Sequence, residues 1–173
     1  FREGFQKFKE HFNKKLRIYD DFGLQLNNFN RDVWSKNWNY IMHANLLESP
    51  IANKNIKEIN LIKFNEFKNK INVKFNGLVN IQKGGTSIAN ELLESFLCDR
   101  CEGYRTKMSS PDLSEESCSR LSPHFTYGSI SIRQVYQKLS ELLPSLGNQK
   151  DLYSFKKRLY WHCHFVQKLH TEP

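Results

Sequence analysis

At 173 residues, with 39% hydrophobic and 25% charged residues, the chain can bury a core and has the composition of an ordinary globular domain. Mean hydropathy is −0.65. No run approaches the roughly 20 apolar residues of a membrane span, so a transmembrane-helix protein is excluded and no membrane partner is expected. Twenty-six Lys and Arg against 18 Asp and Glu leave a net charge of +8. That excess favours polyanionic partners through counterion release, although a Lys/Asn-rich surface of solvated charges produces it equally well.

The sequence opens on Phe1 and is read as an excerpt or a processed product. Phe5, Phe8, Phe12 and Leu16 recur at spacings of three and four, predicting an amphipathic helix over 2–16. Residues 17–30 are Asn-rich without a period. Val33, Trp34, Trp38, Ile41 and Met42 make a second helical face, and two tryptophans four residues apart suggest a packed anchor. Residues 45–82 have no sustained period, although short pieces such as 71–75 alternate as an extended strand would, and read as a connector.

Order returns at Gly84-Gly85, where Thr86 or Ser87 can cap a helix whose buried face is Ile88, Ala89, Leu92, Leu93, Phe96 and Leu97. Residues 102–117, with Gly103, Pro111 and several serines, read as a loop. Ser131 and Gln134 have capping-box spacing ahead of Val135, Tyr136, Leu139, Leu142 and Leu143, and Pro144 stops that helix. A last helix begins near Asp151, with Leu152, Phe155, Leu159, Phe165 and Leu169 as candidate core positions.

Four cysteines, without a signal peptide in view, fit reduced thiols in an intracellular compartment, cytoplasmic in a bacterium and organellar or nuclear otherwise. Cys98 and Cys101 have C-x-x-C spacing, but the second pair that a structural zinc site needs is missing, so no metal is expected. The stretch from Cys118 to Val135 offers hydroxyls and two turn points, Pro123 and Gly128, ahead of a capped helix. Unpaired donors near helix starts suit an anion, and a plain turn explains the same residues.

Ser119-Arg120-Leu121-Ser122-Pro123 followed by Gly128, Ser131 and Arg133 is similar to the cryptochrome/DNA photolyase signature T-S-x-L-S-P-x-x-x-x-G-x-x-S-x-R. The flanking order is similar too: a glycine-led helix, Tyr104 after its end, a polar loop, the signature with its helix, then a Trp-bearing helix. Cys118 in the Thr position and Trp161-His162-Cys163-His164-Phe165 in place of W-R-E/D-F resemble a bacterial-type branch of that family. Trp34 to Met42 resembles the W-x-x-Y-M element of its connector. The likeness covers roughly 84–170.

The resemblance implies a mainly α fold, the first part of the helical FAD-binding domain, preceded by a mixed, partly irregular connector. It divides the chain into an N-terminal segment (1–30), an interdomain-type connector (31–83) and a partial FAD-binding domain (84–173). It implies FAD as cofactor, held by Tyr104, Cys118, Ser119, Leu121, Ser122 and Trp161, with His162 and His164 facing the same cavity. Arg120 and Arg133 are the residues it points towards nucleic acid, and no residue is assigned a catalytic role. The implied activity is blue-light-driven, FAD-dependent DNA repair or photoreception in a longer parent protein, with DNA as partner. Cys163 stands near the place of the acid that contacts the lesion, so that acceptor is lost. The alternative is a flavin-free homologue serving as a basic nucleic-acid-binding or structural component of an RNA–protein assembly.

Overall fold

The computed structural model describes residues 29–48, 81–145 and 149–172, together with Gly4, Lys7, Glu10, His11, Leu24, Gln25 and Gly147. Among them the structure is mainly helical: α1 (Arg31–His43), α2 (Thr86–Ser95), a π-helical turn (Phe96–Arg100), α3 (Tyr104–Lys107), α4 (Pro111–Ser117), α5 (Ser122–Thr126), α6 (Ile132–Leu142), a 3-10 turn (Leu143–Ser145) and α7 (Gln149–Thr171). Among the described residues no helix is long and apolar enough to cross a membrane. Gly4, Lys7, Glu10 and His11 are helical and exposed. The aromatic stripe expected at Phe5, Phe8, Phe12 and Leu16, and the extended pieces expected at 71–75, lie outside the described residues.

Each helix start has a local cause. The Asn30 side chain accepts from the Asp32 and Val33 amides at 2.9 and 3.2 Å and starts α1. For α6 the capping box forms as the spacing predicts: Ser131 Oγ accepts from the Gln134 amide at 3.1 Å and Gln134 Oε1 from the Ser131 amide at 2.8 Å. The start of α2 differs from expectation. Its N-cap is Gly85 at φ 106°, with no side-chain cap, so Thr86 is already the first helical residue. That φ favours glycine and turns the chain into the helix.

Residues 102–117 are not a loop throughout, as their composition suggests, but carry α3 and α4. Gly103 adopts the left-handed conformation at φ 73° and Pro111 occupies the first turn of α4, where its missing N–H costs nothing. The four-residue α3 is too short to be stable alone. Asp151 of α7 supports it from outside: Oδ2 accepts from the Gly103 amide at 3.0 Å and Oδ1 from the Arg105 amide at 2.9 Å.

Helix α7 is the spine. Leu152, Phe155, Leu159, Cys163 and Gln167 form its buried stripe. Phe165 and Leu169, expected in the core, are 56% and 75% exposed. At about 100° per residue Phe165 falls about 140° and Leu169 about 100° from the centre of the stripe. Against this spine pack α3, α6 and, through Trp34 and Trp38, the first two turns of α1. Trp34 and Trp38 are each 2% exposed, and the Trp38 ring meets Tyr136 of α6 at 5.3 Å and Tyr160 of α7 at 5.0 Å, both edge-on. Val33, from the same expected face, is exposed and Ile41 half-buried. Gln137 Nε2 donates to the carbonyls of Met42 and Ala44 at 2.9 and 2.8 Å, closing the C-terminal end of α1 from α6. Gln167 accepts from the Gln25 amide at 2.7 Å and donates to its carbonyl at 3.1 Å, which satisfies a buried amide side chain.

Candidate functional site

The chain between α2 and α5 folds back on itself around Cys118. The π turn after α2 carries the Cys101 amide onto the Phe96 carbonyl at 2.9 Å. Arg100, on that turn, is fully committed: its Nη2 donates to the Leu92 carbonyl at 2.8 Å, Nε to Ser95 Oγ at 3.0 Å, and Nη1 to the Cys118 carbonyl. The same guanidinium lies 5.8 Å from the centre of the Phe96 ring. It is a strut that ties Cys118 to α2.

Two residues on, Arg120 has φ 60°, a left-handed conformation that a non-glycine residue seldom adopts. Its carbonyl accepts from Gln82 Nε2 at 2.6 Å and its guanidinium pairs with Glu115 at 3.1 Å. Such outliers persist where the surroundings over-determine them, and they cluster at ligand clamps. Leu121 follows as a fully buried residue whose carbonyl accepts from the Phe125 amide at 2.9 Å. Ser119 is half-buried, and Ser122 stands exposed at the first turn of α5.

Burial sets the direction of the electrostatics in this corner, and cations act on it second. Burial pushes the Cys118 thiol up from its ordinary range, while Arg100, Arg120 and Arg158 all pull it down without overcoming burial. The Arg100 guanidinium titrates below its usual range, first through burial and then through the Arg120 charge. Tyr104, 6% exposed, is pushed up to about 12, first by burial and then by Cys118, with Arg158 offsetting part. Arg158 makes no ion pair among the described residues, and its guanidinium covers the Trp161 ring at 4.9 Å.

Of the residues singled out in the sequence, Tyr104, Cys118 and Arg120 are therefore brought together, with Ser119 and Leu121 in the same turn. Trp161 is 46% exposed and belongs to this corner through Arg158, not to the core. Arg133 is turned elsewhere: its Nη1 donates to the Asn45 carbonyl at 3.4 Å, beyond the end of α1. His164 stacks on Tyr160 with centroids 6.4 Å apart and meets Trp34 edge-on at 5.5 Å. His162 lies 6.0 Å from Phe125. Cys98 is exposed and Cys101 buried, so the two thiols of the C-x-x-C spacing face different surroundings. Among the described residues no group of three or more His, Cys, Asp or Glu could hold a metal ion. Arg100 and Arg158 were not singled out. Arg158, three residues before Trp161 on a predicted helix, was within reach of the i, i+3 rule.

No family profile, curated protein or solved structure matches this chain.

The chemistry of the corner suits an anion beside an aromatic group. Three guanidiniums act on one point, only one of them is uncommitted, and a half-exposed indole lies next to it. Tyr104 supplies a direct check on this environment. Its raised pKa means that the folded state keeps the proton longer than the unfolded state does. The associated stability is present in full below about pH 10, falls as pH rises, and is gone once the pH passes about 12. The loss is on the order of 2 kcal/mol. In an ultraviolet phenolate titration, the difference between the wild type and Tyr104→Phe should give one phenol titrating near pH 12. A difference curve centred near pH 10 would show Tyr104 in water.

Proposed function

We propose that the chain is the diphosphate-holding part of a photolyase/cryptochrome-like flavoprotein, with FAD as its cofactor. The observation that carries the reading is the gathering of Arg100, Arg120 and Arg158 around Cys118, with Arg100 bonded to the Cys118 carbonyl and Arg158 acting on Tyr104 as well, in the stretch whose sequence resembles the family signature. The residues present fit the cofactor. Arg158 offers an unpaired guanidinium to a diphosphate, and a planar fork matches phosphate oxygens better than a point charge does. Arg120, paired with Glu115, and the half-buried Ser119 lie in the same turn as Cys118, and Tyr104 is a protonated donor at neutral pH. Trp161, already covered on one face by Arg158, supplies an aromatic wall. Arg100 binds nothing in this scheme; it fixes the backbone of Cys118.

When bound, FAD would supply the light-driven electron transfer of the family, and the protein would supply binding, orientation and electrostatics. The left-handed Arg120 holds the signature turn in one shape before any ligand arrives, which lowers the ordering cost of binding. DNA is the partner this reading implies for the parent protein, with a base drawn out of the duplex as in other enzymes that act on bases.

The test is direct. The purified chain is mixed with FAD and desalted, and its visible spectrum is recorded. A retained flavin band, lost in Arg158→Ala with affinity reduced about tenfold, supports the reading. A wild-type chain that comes off the column colourless, and that does not quench FAD fluorescence, removes FAD as the ligand of this corner.

A further inference from the structure

A second concavity lies on a different flank of α7. Trp38 of α1, Tyr136 of α6, and Tyr153, Lys156, Lys157 and Tyr160 of α7 line a groove of about 210 Å³. That is below the roughly 300–1,000 Å³ that encloses a whole drug-sized ligand, so it takes one ring system and leaves the rest of a molecule outside. On α7 the four lining positions recur at 153, 156, 157 and 160, one helical face. At about 100° per residue, Arg158 and Trp161 are offset from that face. The groove is distinct from the Cys118 corner.

Its walls are aromatic and its rim is cationic. Tyr153 is 52% exposed and available for stacking, whereas Trp38 and Tyr136 are buried backing. The Lys156 ammonium sits 4.5 Å from the centre of the Tyr136 ring, which holds it at the rim without a carboxylate. Among the described residues neither Lys156 nor Lys157 is in an ion pair. An aromatic slot for one ring and two ammoniums without ion pairs at its mouth are complementary to a flat ring linked to phosphates.

We propose that this groove binds single-stranded nucleic acid. One base stacks on Tyr153 within the slot and the flanking phosphates lie against Lys156 and Lys157. This is the combination of stacking platform and basic track by which single strands are held without sequence preference. A duplex keeps its bases stacked and paired, so it can offer the groove only its phosphates. The +8 net charge adds the long-range attraction such a strand needs.

The experiment is fluorescence anisotropy of a short labelled oligothymidylate titrated with the FAD-free chain at several salt concentrations, with blunt duplex and inorganic polyphosphate as competitors. Tyr153→Ala should weaken binding about tenfold. Lys157→Ala should reduce the slope of log K against log salt by about 0.7, the release expected for one phosphate on a single strand. Lys168→Ala, the same charge change further along α7, should leave both unchanged, and so should Arg158→Ala, which separates this site from the flavin reading. All four side chains are exposed and the variants should keep the wild-type far-ultraviolet spectrum. The proposal is overturned if the oligonucleotide does not bind, if polyphosphate competes as well as the strand does, or if Tyr153→Ala binds as the wild type.

Discussion

Replacing Phe96 by Ala should destabilise the fold by about 3–5 kcal/mol, the usual cost of deleting a buried aromatic side chain. Phe96 is fully buried, and its ring meets Phe155 at 4.7 Å and Tyr104 at 5.5 Å, both edge-on. Tyr104 and Phe155 meet in turn at 5.7 Å, so the three rings close a triangle. Removing one apex leaves a cavity that two aromatic rings cannot fill without leaving their rotamers. A domain of this size has only about 5–15 kcal/mol in total, so the variant should unfold at a much lower urea concentration. The effect should reach the candidate site as well, because Phe96 supports both Tyr104 and the Arg100 guanidinium. Thiol labelling of Cys118 should quicken in the variant under conditions where it is still folded. A midpoint within error of the wild type would show that the triangle is not a packing unit.

Asp151→Ala should cost about 2–3 kcal/mol. The carboxylate accepts two amide hydrogens at the start of α3, and charge-assisted bonds of this kind contribute about 1.5–3 kcal/mol each before solvent exposure is allowed for. Asp151 is half-buried and its bond to Arg105 is exposed, so solvent screening brings the pair down to or below the lower end of that sum. Asp151→Asn keeps one acceptor oxygen and should recover roughly half of the loss. Amide hydrogen exchange at Gly103 and Arg105 gives the specific readout. Both should speed up in the alanine variant, while exchange in α6 stays slow at low denaturant. If both amides exchange as in the wild type, another acceptor has replaced the carboxylate and the assigned cap is wrong.

Both sites bear on what could be read in the sequence. The long periodic segments were legible because their periodicity is their burial: Leu93, Phe96 and Leu97 after the glycine pair, Val135, Tyr136 and Leu139 after the capping box, and Trp34 with Trp38. Local caps written in adjacent residues, such as Ser131 with Gln134, were legible for the same reason. What failed was tertiary. Helix α3 exists because a carboxylate 48 residues from Gly103 caps it, and no pattern within 102–117 carries that fact. Phe165 and Leu169 were placed in the core because they are apolar, although their phase on α7 already differed from that of Leu152, Phe155 and Leu159. Within the candidate site, the order of Tyr104, Cys118 and Arg120 along the chain was plain. The arrival of Arg100 and Arg158 at the same point depends on how the end of α2 and α7 are set beside Cys118.

The π-helical turn at Phe96–Arg100 has a consequence for how this chain can change. Such a turn holds one residue more than the α-helix it interrupts, and it rotates everything after it relative to what precedes it. Deleting Cys98 or Asp99 would let α2 run on as an ordinary helix, turning the following residues by about 100°. The strut from Arg100 to Leu92 and Cys118 would then be aimed away from its acceptors. Spacing is thus constrained here more tightly than chemistry. Substitution at exposed positions of the turn such as Cys98 or Asp99 should be absorbed, whereas a change of one in the residue count would dismantle the corner around Cys118 while leaving every one of its side chains in the sequence.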